Sequence, residues 1–299
     1  MKVFITGASG WVGRHVVPEL QSHGHEITAL ARSDSSADAL EKQGVKVIRG
    51  GLEDTDILHS AAKESDAVIH LAYIHDFSDY GGKPAQIDFE AIKAMASALE
   101  GTNKIFVGTS GALGLQGEQT EKDSSAGGPR KIGEEITFSF KEKGVKTIVI
   151  RLAPSIHGKG DKGFIPILIN FSKKSGYSAF IENKPINWKG CHVKDASILY
   201  RLSIENEKIP NGSILHGISD EIGIPFSEIA KSIGNNLSLE IKAFNSIKDE
   251  DEIKKHFDWM AMILNYDCNA KNQITKEITG WIPKEKGLLE DINTGSYFQ

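Results

Sequence analysis

The chain has 299 residues, of which 39% are hydrophobic and 25% are charged, as in an ordinary folded protein. Its 35 Lys and Arg residues against 40 Asp and Glu residues give a net charge of −5, which argues against proteins that bind nucleic acids or anionic membranes through basic surfaces. Two cysteines are too few for a disulfide framework or a cysteine metal site, and no apolar run suits a signal peptide or a membrane span, so we expect a cytoplasmic protein.

The first half of the chain alternates short apolar runs with longer helical patterns. In chain order, the expected strands cover residues 3–6, 26–31, 45–48, 67–71, 104–109 and 147–152. Helical patterns at 11–22, 85–100 and 131–143 lie between them. This alternation predicts an α/β fold with a Rossmann-type, doubly wound parallel sheet.

The alternation weakens after Leu152, where Pro and Gly become frequent, and residues 220–299 have mainly short helical patterns. We therefore predict two units. A nucleotide-binding Rossmann domain comprises residues 1–160 and 187–217, and a smaller, mostly helical substrate lobe comprises residues 161–186 and 218–299.

A glycine-rich loop, Thr6-Gly7-Ala8-Ser9-Gly10-Trp11-Val12-Gly13, follows the first expected strand and opens the first expected helix. Its backbone N–H groups and the helix N-terminus converge on one point, which favours a phosphate group. Glycine is needed where the chain turns, where it approaches a pyrophosphate and where the helix packs on the strand. These requirements suit Gly7, Gly10 and Gly13 in that order and predict a dinucleotide site.

The TGxxGxxG spacing resembles the fingerprint of the short-chain dehydrogenases/reductases, and later motifs are similar to their extended branch, the NAD-dependent epimerase/dehydratase family. The matching segments are IHLA at 69–72, VGTS at 107–110, IRLAPS at 150–155, HVKD at 192–195 and GWIP at 280–283. The resemblance implies a nicotinamide dinucleotide along the carboxyl ends of the strands and a substrate in the C-terminal lobe. The cofactor residues that it implies are Gly7, Ser9, Gly10, Trp11, Val12, Gly13, Leu52, Leu71, Ala72, Thr109, Pro154 and Ser155.

The end of the second expected strand bears on the choice between NAD and NADP. A carboxylate at this position binds the adenosine ribose of NAD and repels a 2′-phosphate, but this chain has Arg32 and Ser33 there. A guanidinium and a hydroxyl suit a phosphate, with Arg14 as a second cation, so NADP(H) is favoured over NAD(H). Asp34, two residues after Arg32, is a carboxylate, so NAD remains the alternative cofactor. The Asp with which the family meets the adenine is replaced by Gly51.

The Tyr-Lys pair that usually serves this family is missing, because none of the six tyrosines has a lysine four residues later. Counted from Ser110, which fits the family's catalytic Ser/Thr, the expected positions fall near Arg130 and Glu134. Arginine stays charged and cannot act as the acid. It can hold a substrate carboxylate or stabilise an oxyanion, with Glu134 orienting it, and an ordinary surface ion pair between the two is the alternative.

A proton donor must then come from elsewhere. Tyr73 and His75 follow the fourth expected strand, and His75 has the more suitable intrinsic pKa. His157 is a second candidate, although a structural or substrate-contacting role is the alternative for each histidine. The glycine-rich loop at 111–128 is either a lid or a plain connector. No metal is expected, because no histidine or cysteine spacing suits zinc.

The leading hypothesis is an NADP(H)-dependent oxidoreductase that transfers hydride between its cofactor and a small carbonyl or hydroxyl compound. One alternative is a non-catalytic NADP-binding sensor or scaffold. Another is an epimerase or dehydratase that acts on a nucleotide-sugar-like substrate. We expect a small-molecule substrate and consider a homodimer as the assembly. We expect no binding to nucleic acid or to a membrane.

Overall fold

The computed structural model describes residues 1–76, 79, 81–124 and 127–299. The six expected strands are confirmed, with ends that differ by at most two residues. They are β1 (Lys2–Thr6), β2 (Glu26–Ala31), β3 (Lys46–Arg49), β4 (Ala67–His70), β5 (Ile105–Gly111) and β6 (Lys146–Leu152). Between them lie α1 (Gly13–Ser22), α2 (Asp34–Glu41), α3 (Thr55–Lys63), α4 (Lys83–Ser97) and α5 (Pro129–Phe138).

The helix expected at 131–143 is shorter than its pattern. It starts at Pro129, whose ring presets a helical backbone angle, and it ends at Phe138. A separate 3-10 turn, Lys141–Lys143, follows and ends at Gly144, which has a left-handed φ of 76°. Gly144 ends this 3-10 turn, because glycine adopts the left-handed conformation without strain.

The second half of the chain contributes further elements. They are β7 (Ser155–His157), α6 (Phe164–Ser175), β8 (Tyr177–Ile181), β9 (Asn187–Trp188), β10 (Gly190–His192), α7 (Val193–Glu205), β11 (Ser213–Gly217), β12 (Ile224–Pro225), α8 (Phe226–Leu237), β13 (Glu240–Phe244), α9 (Glu250–Phe257), α10 (Gln273–Thr279) and α11 (Leu288–Thr294). A 3-10 segment, Asp258–Asn265, follows α9.

The central sheet is parallel and has the order β11-β6-β5-β4-β1-β2-β3. The chain reverses its direction of winding between β1 and β4, as expected for a doubly wound sheet, and β11 adds a seventh strand beside β6. Helices cover both faces. Val3 and Ile5 of β1 belong to one buried cluster and Phe4 to another, because successive side chains of a strand point to opposite faces.

A third buried cluster lies in the C-terminal half, around the parallel pair β8 and β13 and the helices α6, α8 and α9. Cys268, Ala270 and Trp281 instead pack into a cluster of the central sheet. Cys191 and Cys268 are free and buried, and burial raises the pKa of both thiols. Among the helices that the structure describes, none has the length and apolar character needed to cross a membrane.

Candidate active site

The glycine loop between β1 and α1 packs closely against the end of β4. Gly7 has a φ of 73°, and a Cβ added there would lie 2.6 Å from the Ala72 nitrogen. A Cβ on Gly13 would lie 2.2 Å from the Gly7 oxygen, so both positions need glycine for the fold itself. A Cβ on the exposed Gly10 would meet only the Gly7 oxygen, at 3.1 Å. Gly10 therefore lies on the open side of the loop, where a pyrophosphate has room to approach.

The remaining loop residues fit an anion held by backbone groups. Ser9 is exposed, and the first N–H groups of α1 receive no side-chain cap from Val12. The Trp11 indole N–H donates to the Ile156 oxygen at 2.7 Å, which ties the loop to β7. The indole is thus engaged within the fold, and the part of Trp11 available to a phosphate is its backbone.

A buried hydrogen-bond chain that sequence reasoning missed joins β1, β4 and α4. The Thr6 Oγ1 lies 2.6 Å from Nδ1 of His70, and Nε2 of His70 lies 3.0 Å from the Asp88 carboxylate. Because a carboxylate only accepts, Nε2 carries the proton and Nδ1 accepts from the Thr6 hydroxyl. The Ala72 N–H also donates to Thr6, at 3.3 Å. These hydrogen bonds therefore fix the position of the Ala72 backbone, against which Gly7 packs.

Arg32 is exposed at the carboxyl end of β2, where the ribose of the cofactor is expected. Ser33 caps α2 by accepting a bond from the Ser36 N–H at 3.3 Å. Arg49, at the end of the neighbouring β3, donates to the Ser33 carbonyl at 2.6 Å and pairs with Asp34 at 2.5 Å. The acidic group that kept NAD open is therefore engaged by Arg49. Sequence reasoning missed Arg49, although it ends a strand adjacent to β2.

The other residues expected around the adenosine lie nearby in the fold. The Arg14 Nε donates weakly to the Gly10 carbonyl at 3.4 Å, so its side chain folds back along the glycine loop. The Gly51 N–H donates to Asp54 at 2.7 Å, and Leu52 is half-buried against the cluster beneath α3 and α4. The turn after β3 is thus held by Asp54 where the family's Asp is absent.

Two buried hydroxyls at the carboxyl side of the sheet have no hydrogen-bond partner among the described residues. Ser110 of β5 is 5% exposed, and Ser155 follows β6. By contrast, the Thr109 hydroxyl lies 2.8 Å from the phenol of Tyr200, whose pKa is raised by complete burial. Pro154 is half-buried beside Ser155. A buried hydroxyl without a partner is costly, so Ser110 and Ser155 fit the polar groups of a bound cofactor and substrate.

Arg130 comes together with Tyr73 and His75, three of the predicted catalytic residues. The central carbon of its guanidinium lies 3.6 Å from the centre of the Tyr73 ring, and Nη1 donates to the Thr109 carbonyl at 3.5 Å. The His75 and Tyr73 rings meet edge to face, with centroids 5.3 Å apart. Loss of hydration and then the charge of Arg130 lower the pKa of His75, which favours a neutral imidazole. Leu71, half-buried at the end of β4, leads into this cluster.

The expected pairing of Arg130 with Glu134 is wrong. Glu134 instead forms a bidentate ion pair with Arg151 of β6, at 2.9 and 2.7 Å. Arg151 is 2% exposed and Glu134 is 6% exposed, and the third contact of the guanidinium is the Asp123 carbonyl at 2.7 Å. Positions four apart on a helix share a face, so the spacing permits the pair, but the Arg130 guanidinium stacks on Tyr73 and Glu134 reaches Arg151 of β6.

The described part of the loop between β5 and α5 is anchored to the C-terminal half of the chain. The buried Glu121 accepts from both the N–H and the hydroxyl of Thr275, at 2.7 and 2.8 Å. The Lys271 N–H donates to the Gln119 carbonyl at 2.8 Å. These contacts connect the loop to α10 and to the segment before it, and the Arg151 bond to Asp123 connects the loop to β6.

His157, the second predicted proton donor, is fully buried. Its Nδ1 lies 2.9 Å from the Asp291 carboxylate of α11, and its ring centroid lies 5.4 Å from that of His192. This environment ties His157 to the C-terminal helix. Among the described residues, no group of three or more His, Cys, Asp or Glu side chains is suited to hold a metal ion.

Comparisons with known proteins place the chain among nicotinamide-dependent enzymes. The model of the NAD-dependent epimerase/dehydratase family matches residues 3–180. An uncharacterized protein of Saccharomyces cerevisiae is 39% identical over 98% of both chains, and one of Schizosaccharomyces pombe is 35% identical over 100% of both. The 4-hydroxy-2-methyl-3-oxo-4-farnesyl-3,4-dihydroquinoline-1-oxide ketoreductase of Stigmatella aurantiaca is 25% identical over 72% of this chain and 67% of its own.

Solved structures share the fold at low sequence identity. A short-chain dehydrogenase/reductase superfamily protein from Agrobacterium tumefaciens, with bound NAD, superposes with a TM-score of 0.75 at 16% identity, covering 99% of this chain and 96% of its own. The UDP-glucose 4-epimerase of Thermotoga maritima gives a TM-score of 0.74 at 16% identity, covering 100% and 98%. These matches agree with the Rossmann-type sheet described above.

Proposed function

Since this chain belongs to the NAD-dependent epimerase/dehydratase family, we propose that it is an NADP(H)-dependent oxidoreductase that acts on a small carbonyl or hydroxyl compound. The cluster at the carboxyl ends of β4 and β5 carries this proposal. The buried Ser110 hydroxyl, near the end of β5, has no partner among the described residues. Arg130, Tyr73 and His75 form a cluster at this edge of the sheet. Ligands of open α/β sheets bind at this edge.

The residues of the chain divide the work by position. The N–H groups of the glycine loop hold the pyrophosphate, and Arg32 binds the 2′-phosphate. A nicotinamide dinucleotide held there would supply or accept hydride. Ser110 donates a hydrogen bond to the substrate oxygen, and Arg130 supplies positive charge beside it. Tyr73 is the preferred proton donor for reduction, because the lowered pKa of His75 leaves its imidazole neutral near pH 7.

The reductase direction is preferred over epimerase and dehydratase chemistry. The Stigmatella relative with a defined name is a ketoreductase. A reductase needs a carbonyl held beside the cofactor and charge stabilisation at its oxygen, which Ser110 and Arg130 provide. Such a site works without the family's Tyr-Lys pair, because a positioned acid contributes about 10²–10⁴-fold and is not indispensable.

The proposal is tested by following NADPH oxidation with a panel of aldehydes, ketones and quinones. We expect slow but measurable turnover. Ser110→Ala should lower kcat at least about tenfold and leave NADPH affinity nearly unchanged, because the hydroxyl acts on the substrate oxygen. The control is Ser65→Ala, since Ser65 is equally buried but precedes β4 at the opposite edge of the sheet, where it donates to the Ala61 carbonyl.

The rival sensor function predicts a different pattern. Protein shown to be loaded with NADPH would leave its absorbance unchanged with every compound of the panel, and Ser110→Ala would have no effect. That result would exclude the proposed oxidoreductase.

A further inference from the structure

Arg130 is a cation without a described carboxylate partner. A guanidinium has five N–H donors, and the one described acceptor for this side chain is the Thr109 carbonyl at 3.5 Å. The half-buried Arg130 stacks on the Tyr73 ring, which covers one face and leaves the N–H groups in its plane. Arg151, by comparison, meets Glu134 and a carbonyl with three short bonds. The donors of Arg130 are therefore available to a ligand.

Ser110 provides a second, independent sign of a ligand at this place. Its hydroxyl is buried without a described partner. Arg130 contacts the carbonyl of the peptide that joins Thr109 to Ser110. Side chains alternate along a strand, so Ser110 leaves β5 on the same face as position 108, where an added Cβ would meet Thr137 of α5. Ser110 and Arg130 thus both belong to the α5 side of this edge.

Of the four residues Ser110, Tyr73, His75 and Arg130, Arg130 is the one that carries a formal charge. Glu134 is the buried carboxylate of α5, and it already pairs with Arg151. His75 is kept neutral by partial loss of hydration and by Arg130 itself. A single guanidinium balances a monoanion, and its planar N–H fork matches the two oxygens of a carboxylate.

We infer that the substrate is an oxo acid, in which Arg130 binds the carboxylate and Ser110 binds the neighbouring carbonyl oxygen. The inference rests on the proposed oxidoreductase and names its substrate class. It makes Arg130 the residue that selects oxo acids over neutral carbonyl compounds of the same shape, because the neutral compound leaves the guanidinium without its anion.

The inference is tested by binding. Protein saturated with oxidised cofactor, which cannot reduce a carbonyl, is titrated by calorimetry with two matched pairs of probes: oxamate and oxamide, and phenylglyoxylate and its amide. We expect at least one acid to bind about tenfold or more tightly than its amide. Arg130→Gln should abolish that preference and change cofactor affinity by less than about twofold.

The matched control is Lys131→Gln, which removes the same charge from the next residue of α5. Lys131 is partly exposed and pairs with the exposed Glu135 at 3.6 Å, so its loss should leave the preference intact. If Arg130→Gln does not fold, Arg130→Lys replaces it. Lysine keeps the charge but lacks the bidentate N–H geometry of a guanidinium, so the preference for the acid should be reduced but not abolished. Equal affinity for acid and amide in the unaltered protein, or equal losses in the two Gln variants, would overturn the inference.

Hydride transfer, measured on the same samples with reduced cofactor, separates this inference from the proposed function. Turnover of neutral carbonyl compounds without any preference for acids overturns the oxo-acid assignment and leaves the oxidoreductase. A preference for acids without turnover of any compound supports the carboxylate site and overturns the oxidoreductase.

Discussion

Arg32 and Asp34 are two residues apart but have different surroundings in the fold. Asp34 is held in an ion pair with Arg49, and Arg49 also binds the carbonyl of Ser33. The exposed Arg32 has no ion pair with a carboxylate of the described residues. The Asp34–Arg49 pair is exposed and screened by water, so the expected preference for NADP rests on the unpaired Arg32 guanidinium, which is a good partner for a phosphate.

We therefore expect Arg32→Ala to weaken NADPH binding by about 1–3 kcal/mol, the value of a lost charge-assisted contact, and to leave NADH binding almost unchanged. Fluorescence titration of both reduced cofactors measures this. Lys46→Ala is the control, because Lys46 is exposed at the amino end of β3 and its loss removes the same charge at the opposite edge of the sheet. Equal affinity of the unaltered protein for NADPH and NADH would contradict the assignment of Arg32.

The helix α5 carries two ion pairs of opposite character on neighbouring positions. Glu134 and Arg151 are buried, with two short contacts, whereas the half-buried Lys131 and the exposed Glu135 are 3.6 Å apart near the surface. The buried pair also connects the helix to β6 and, through Asp123, to the loop after β5. Removal of one buried partner leaves an uncompensated charge, whereas an exposed pair is screened by water.

Glu134→Gln should therefore lower the free energy of unfolding by about 3–5 kcal/mol. Glu135→Gln, on the same helix, should lower it by no more than about 0.5 kcal/mol. Urea unfolding followed by circular dichroism compares the two. Similar stability of the two variants would mean that the buried pair does not hold α5 against the sheet.

The whole molecule contains buried histidines whose protonation opposes folding. Burial lowers the pKa of His216 to about 4 and that of His256 to about 4, from an ordinary value of 6.5. Between about pH 4 and pH 6.5, these two histidines bind protons in the unfolded chain but not in the folded chain. Stability is therefore complete above about pH 6.5 and falls as the pH is lowered to about 4, by up to about 1.4 kcal/mol per pH unit for each group.

His256→Phe should make this fall in stability less steep. The number of protons taken up on unfolding should decrease by about one. The substitution keeps the ring that packs on Phe257 and Tyr177, with centroids 4.5 and 4.9 Å away, and removes the titrating nitrogens. The slope of unfolding free energy between pH 4 and 6.5 is the measurement. His59→Phe, the same change at an exposed position of α3, is the control. An unchanged slope in His256→Phe would show that His256 does not resist protonation.

The order of apolar and polar residues along the chain was enough to predict the strands of the central sheet and the loop from Gly7 to Gly13. Both signals are local, because a strand alternates every second residue and a phosphate loop is contiguous. The sequence also placed Ser110 and Tyr73 at the ends of neighbouring strands and Arg130 at the start of the helix that follows β5. Their convergence follows from the strand order, which brings the carboxyl ends of β4 and β5 to one edge.

Only the tertiary structure decided which partner each polar side chain takes. Glu134 binds Arg151 and not Arg130, Asp34 binds Arg49, and His70 links Thr6 to Asp88. Each of these partners comes from another strand or helix, so the choice depends on which elements are adjacent and on how deeply a charge is buried. A buried charge must find an opposite charge, and the geometry of the fold, which no local pattern contains, determines which one lies within reach.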